Sequence, residues 1–226
     1  MLQEIFSRGD GLDAIRIALA LMSLASAIAY QAIEHRAPSA LRTGLKTAAI
    51  GLLVPLPLLA GAALPFLLLA AAFLFSALGD LFLALKGDPR NFMRGLGAFL
   101  ASHLFYIAVM LPLASAPDTL ALKATSLAIG IGALALYWSL APTLGRMKLP
   151  VGAYLVVILV MALTALAIPE GAPLLGLGAV LFVISDSTIA LDKFRAPVPY
   201  RGPIVWVTYY AGQALMALSL MALLVA

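Results

Sequence analysis

The chain is a succession of apolar runs, each about as long as a bilayer is thick. A helix needs roughly 20 mostly apolar residues to cross the hydrocarbon core. Lipid also admits only segments that satisfy their own backbone hydrogen bonds. Eight stretches qualify: 14–31, 45–62, 65–85, 94–113, 118–140, 150–168, 172–191 and 203–225. Pro, Gly or charge marks most of the short connections, as expected of turns. These runs predict an all-α, polytopic membrane bundle of eight transmembrane helices. It forms a single transmembrane domain over 1–226, with no soluble domain. Pro55, Pro57 and Pro112 fall within or at the ends of spans, where neighbouring helices tolerate them. Asp10 and Asp13 precede the first run. A cleaved signal peptide carries a basic flank instead, so the first run is read as a retained span.

Composition agrees. Of 226 residues, 64% are hydrophobic and 11% charged, against about 45–50% and 25% in soluble domains. That excludes a soluble enzyme, a disordered tail and a nucleic-acid module. The net charge of +4 fits Lys and Arg accumulating in cytoplasmic loops. With no cysteine in the chain, a disulfide, a thiolate metal site and a thiol nucleophile are all excluded.

The loop charges orient the spans. Eleven of the 14 Lys and Arg residues lie in the connections after spans one, three, five and seven: Arg36, Arg42, Lys46, Lys86, Arg90, Arg94, Arg146, Lys148, Lys193, Arg195 and Arg201. Arg8, Arg16 and Lys123 fall on the other side. The positive-inside rule then places the odd connections in the cytoplasm and both termini outside. In a bacterium the membrane would be the inner one.

Ionisable groups within spans are costly and mark function by default. Asp80 lies in span three and Asp186 in span seven. Each precedes the first basic residue beyond its span, Lys86 or Lys193, by six or seven residues, a depth of roughly 10 Å at 1.5 Å per residue. Both spans run in the same direction, so the carboxylates share a level. The pattern Asp-x-x-x-Ala-Leu recurs at both. His103 and Tyr106, three apart in span four, share one helix face, as do Tyr209 and Gln213, four apart in span eight. Lys46 opens span two, and Tyr154 sits one turn into span six. Together these groups predict a polar cavity open toward the cytoplasmic leaflet. Tyr210 is read as part of an aromatic belt, and the Met residues as core filler. His35 is read as solvated, and Gly95-x-Gly97 as close helix packing.

With two His, one of them in a loop, a multi-His zinc site is not expected. No Gly-x-Ser-x-Gly, P-loop or dinucleotide fingerprint occurs. No metal or cofactor is therefore expected. Two carboxylates in a low-dielectric cleft can divide the roles of general acid and base. That division suits hydrolysis through a cationic transition state. The alternative is a proton-coupled transporter or flippase of a lysolipid-like amphiphile. Such a protein needs polar groups reaching both faces or broken helices at the midplane, whereas here they cluster in one half.

At these positions the chain resembles the YhhN family of membrane proteins, whose animal members are lysoplasmalogenases. The resemblance rests on Ser76-x-x-Gly79-Asp80 and on Gly95-x-x-x-Phe99-x-x-x-His103-x-x-Tyr106. It continues in Phe182-x-x-Ser185-Asp186 and Tyr209-Tyr210-x-x-Gln213. Lys46 and Tyr154 match further polar positions, with Thr47 where the family usually has Pro. The resemblance covers almost the whole chain. It implies a lysolipid substrate, lysoplasmalogen-like, and cleavage of its vinyl ether bond. The products are a fatty aldehyde and glycerophosphoethanolamine or glycerophosphocholine. It implies catalysis by Asp80 and Asp186, the order of roles open. His103 and Tyr106 orient water or relay protons. Lys46 meets the phosphate, and Tyr209 and Gln213 the glycerol or headgroup. Ser76, Ser185 and Tyr154 support the site. Membrane lipids are the only other partner expected; nucleic acid is not.

Overall fold

The computed structural model describes residues 2–85, 87–115, 119–168 and 172–225. Lys86, one of the loop charges, and residue 118, where the fifth span was expected to start, lie outside the described residues. Every regular element among them is helical. The order is α1 (Leu2–Phe6), α2 (Asp13–Ile33), α3 (Ala40–Gly51), α4 (Pro55–Ala60), α5 (Leu64–Ala84), α6 (Arg90–Met110), α7 (Leu120–Leu140), α8 (Lys148–Leu166), α9 (Ala172–Phe194) and α10 (Arg201–Val225). Counting α3 and α4 as one pass, eight helices are long and apolar enough to cross a membrane. The protein is an integral, multi-pass membrane protein.

Most boundaries follow local chemistry. Ser39 caps α3 by accepting from the Arg42 amide at 3.2 Å, and Thr119 caps α7 by accepting from the Leu122 amide at 3.2 Å. Each offers an oxygen to an amide that has no partner within its helix. Pro112 tightens the end of the fourth pass into a 3₁₀ turn, Leu111–Leu113. Asp192 fixes the α9–α10 connection. It accepts from the Val198 amide at 3.1 Å and pairs with Arg201 at 2.9 Å.

Two features differ from the sequence reading. The second pass was expected to be one span over 45–62. It starts at Ala40 and breaks between α3 and α4. Pro55 has no N–H to continue the ladder, and the amides of Leu53 and Val54 turn to carbonyls three residues back, Ile50 at 2.9 Å and Gly51 at 3.2 Å. Arg42 and Lys46 thus stand within α3, not in a loop. Arg16 was read as a plain extracytoplasmic charge. It is fully buried in α2, paired with Asp10 and with Asp13 at 2.9 Å, and donates to the Leu59 carbonyl at 2.6 Å. Arg8 donates to the Ala60 carbonyl at 3.0 Å. The two arginines therefore cover the last carbonyls of α4, where the helix dipole favours cations. The Arg16 guanidinium, through its hydrogen bonds, holds the Asp10 carboxyl down to about 2.

The chain forms two compact units, Met1–Val109 with Ala217–Ala226, and Met110–Met216. In the first, α3 packs against α2 and α5, and α4 against α5. In the second, α8 packs against α7 and α9. Leu21 and Ile28 of α2, and Leu127, Leu134 and Trp138 of α7, are more than half exposed. Facing water they would be a liability; facing lipid they are ordinary.

Candidate functional site

In the first unit the functional side chains lie on α3, α5 and α6. Asp80 is on α5, its side chain 1% exposed. The Lys46 ammonium, carried by α3, lies 2.9 Å from Asp80 Oδ1. Ser76 is one turn before Asp80 on the same helix face. Its hydroxyl meets that of Ser102 at 2.7 Å. Ser102 in turn donates to the Ala72 carbonyl at 2.8 Å, so the shared proton comes from Ser76. His103 and Tyr106 are both fully buried on α6. The Tyr106 ring stands edge-on to Phe73, centroids 5.9 Å apart.

Glycine sets how closely α5 and α6 approach. A Cβ at Gly79 would lie 2.6 Å from the Phe99 ring, and one at Gly95 2.8 Å from Leu83 Cδ2. The packing role read for Gly95 holds. Gly97 has no heavy atom within 4 Å of such a Cβ and does not share it.

In the second unit the residues lie on α8, α9 and α10. Tyr154 of α8 donates its hydroxyl to Asp186 Oδ2 of α9. Ser185 donates to the Val205 carbonyl of α10 at 3.1 Å. Tyr209 stands edge-on to Phe182, centroids 5.2 Å apart, and its oxygen accepts from Gln213 Nε2 at 3.4 Å. Tyr210 stacks on Trp206. Gly178 and Gly212 let α9 and α10 touch through backbone. A Cβ on either would come within 2.9 Å of the other's carbonyl. Tyr154, Asp186 and Ser187 line a cavity of about 40 Å³, room enough for water.

The sequence reading did not foresee all the partners of the residues it selected. It did not pair Lys46 with Asp80, which the structure does. It missed Ser102, whose only signal was a hydroxyl beside His103 in an apolar run. Among the described residues, no group of three or more His, Cys, Asp or Glu side chains is placed to hold a metal.

Fold and site define a class: a polytopic helical membrane protein with one carboxylate embedded in each unit, each met by a side chain from another helix. The YhhN family model matches residues 41–220, and the chain belongs to that family. It is 38% identical to the lysoplasmalogenase TMEM86A of Bos taurus over 64% of this chain and 61% of that one. It is 34% identical to the lysoplasmalogenase of Mycobacterium bovis over 66% and 58%, and 36% identical to the lysoplasmalogenase TMEM86B of Homo sapiens over 67% and 62%. The chain thus spans about three fifths of the length of the curated relatives it matches. No solved structure matches it.

Proposed function

We propose that this protein is a membrane-embedded hydrolase that cleaves the vinyl ether bond of a lysoplasmalogen, releasing a fatty aldehyde and glycerophosphoethanolamine or glycerophosphocholine. Its relatives' names and the carboxylate chemistry support the same reading. The observation that carries it is that two carboxylates placed within membrane-spanning helices are each engaged by a side chain from another helix, Asp80 by the Lys46 ammonium and Asp186 by the Tyr154 hydroxyl. An enol ether hydrolyses by protonation at its β-carbon, which leaves an oxocarbenium ion. Water then adds to the cationic carbon and loses a proton. The hemiacetal breaks its bond to the glycerol oxygen, which leaves protonated as the alcohol. One water is consumed.

In this reading Asp186, held through Oδ2 by Tyr154, supplies the proton at the β-carbon. Asp80 acts as the carboxylate, offsetting the cation and taking the proton from water. Lys46 keeps Asp80 charged without a counter-ion from solvent. His103 and Tyr106 orient water or relay protons. Tyr209 and Gln213 bind the glycerol or headgroup, and Ser76 and Ser185 hold helices in register. The loop charges support termini outside and a substrate entering from the cytoplasmic leaflet.

The test is aldehyde release from purified protein given lysoplasmalogen of either headgroup, for wild type, Asp80→Asn and Asp186→Asn. The reading expects turnover by wild type and losses of about 10²–10⁴-fold in each folded variant, the usual range for a general acid or base. Full activity in the folded variants removes the carboxylate mechanism. No wild-type activity on either headgroup removes the substrate.

A further inference from the structure

Beside the Asp186 cavity lies a second, larger space. It is a groove of about 480 Å³ between α7 and α8, within the range of about 300–1,000 Å³ usual for small-ligand sites. Gly130, Ala133 and Leu134 form part of one wall; Val156 and Leu159 form part of the other. Tyr137 and Leu155 line both the groove and the Asp186 cavity. Two glycines open it. A Cβ on Gly130 would meet nothing within 4 Å, and the Tyr137 ring lies over Gly152, Cε2 3.2 Å from where a Cβ would stand. From the level of Tyr137 to that of Gly130 the groove runs ~10 Å along the helix axis at 1.5 Å per residue. At one end Tyr137 and Leu155 border the cavity that Asp186 lines; the rest of the groove is lined by apolar residues and glycine.

We propose that this groove binds the hydrocarbon chain of the single-chain lipid substrate, its reactive end at Asp186 and its tail toward Gly130. The proposal rests on the vinyl ether reading, in which the bond to be broken joins the chain directly to the glycerol oxygen. The chain must then leave from the catalytic carboxylate itself, and this groove shares two wall residues with that carboxylate's cavity. Gly130 and Ala133 set how much chain fits. Both are half-buried, and both line the groove together with Leu134 and Tyr137 of the same helix.

Two arms test it, both with the full chain in nanodiscs. The first measures kcat/KM over a series of lysoplasmalogen chain lengths for wild type, Gly130→Leu, Ala133→Phe and the control Leu127→Phe, a position outside the groove. The proposal expects a fall of about tenfold or more for long chains only, the discrimination a hydrophobic pocket gives per misfitted group, with short chains and the control unchanged. Equal effects at all lengths overturn it. The second arm maps photocrosslinks from an acyl lysophosphatidylethanolamine bearing a diazirine at its chain end. Labelling of α7 and α8 near Gly130 and Leu159, competed away by unlabelled lysolipid, supports the groove even where no substrate is hydrolysed. That outcome leaves only the vinyl ether reading to fail. Labelling elsewhere, or labelling that competitor does not reduce, assigns the groove to bulk bilayer lipid and overturns the proposal while leaving hydrolysis intact.

Discussion

Asp80 faces an ammonium and is 1% exposed; Asp186 is only half-buried and faces a phenol. In an apolar interior a charge is tolerable when a counter-charge comes with it. Lys46 provides that for Asp80. A phenol donating to one carboxylate oxygen serves either state, because the second oxygen keeps or loses its proton without breaking the contact. The same local sequence, Asp-x-x-x-Ala-Leu, thus stands in two environments. One carboxylate has an ammonium within 2.9 Å, and the other accepts from a phenol. Likeness of motif does not fix likeness of role; the side chain arriving from the next helix does.

The largest effect expected from breaking this contrast is at Lys46. Lys46→Met keeps most of the apolar stem but strands a buried carboxylate. Removing one partner of a buried pair costs about 3–5 kcal/mol. Thermal unfolding in detergent should show a large loss for Lys46→Met and recovery in Lys46→Met/Asp80→Asn, where neither charge remains. If the single variant melts like wild type, the ammonium merely snorkels to the interface and the distinction between the carboxylates collapses.

A smaller effect separates the helix pairs that carry the two residues. In the first unit a Cβ on Gly95 would meet Leu83 of α5 at 2.8 Å, a flexible group that can turn aside, with the Gly79 carbonyl oxygen farther off at 3.4 Å. In the second, α9 and α10 meet through backbone: a Cβ on Gly212 would lie 2.7 Å from the Gly178 carbonyl oxygen. Overpacking costs about 1–3 kcal/mol where the neighbour cannot yield. Gly212→Ala should therefore lower the melting temperature clearly, and Gly95→Ala much less. Equal losses would mean that both helix pairs are equally rigid.

How much of this was legible in the sequence follows from the physics of each signal. The eight passes were readable because lipid enforces length and apolarity over a whole segment. The two carboxylates were readable because such groups are scarce there. The break at 52–54 was hidden, because a proline in a span is compatible with either a kink or an uninterrupted pass. The engagement of Lys46 with Asp80 was hidden for another reason. Periodicity within a helix says which residues share its face but not which neighbouring helix lies opposite. Arg16 was misread because a charge near a span end looks the same whether it snorkels or clamps a buried carbonyl. Ser102 had no partner in sequence at all; its meaning comes from Ser76, on a different helix.

The smallest effect sharpens the second half of the contrast. Tyr154→Phe removes one hydroxyl and leaves the ring, so packing among α7, α8 and α9 is retained. Side-chain hydrogen bonds between membrane helices average about 0.6 kcal/mol and reach about 1.7. At 1.36 kcal/mol per tenfold, a loss of that size in the transition state alone slows turnover by roughly 3- to 20-fold. A hydroxyl that holds the carboxyl in its proton-donating posture should lower kcat while KM stays near wild type. The same change made on Asp186→Asn should add little, because the group Tyr154 positions is already gone. The double-variant cycle therefore reads the coupling directly. If Tyr154→Phe costs as much with Asn at 186 as with Asp, the phenol acts on something other than Asp186, and the neutral partner loses its part in the contrast with Lys46.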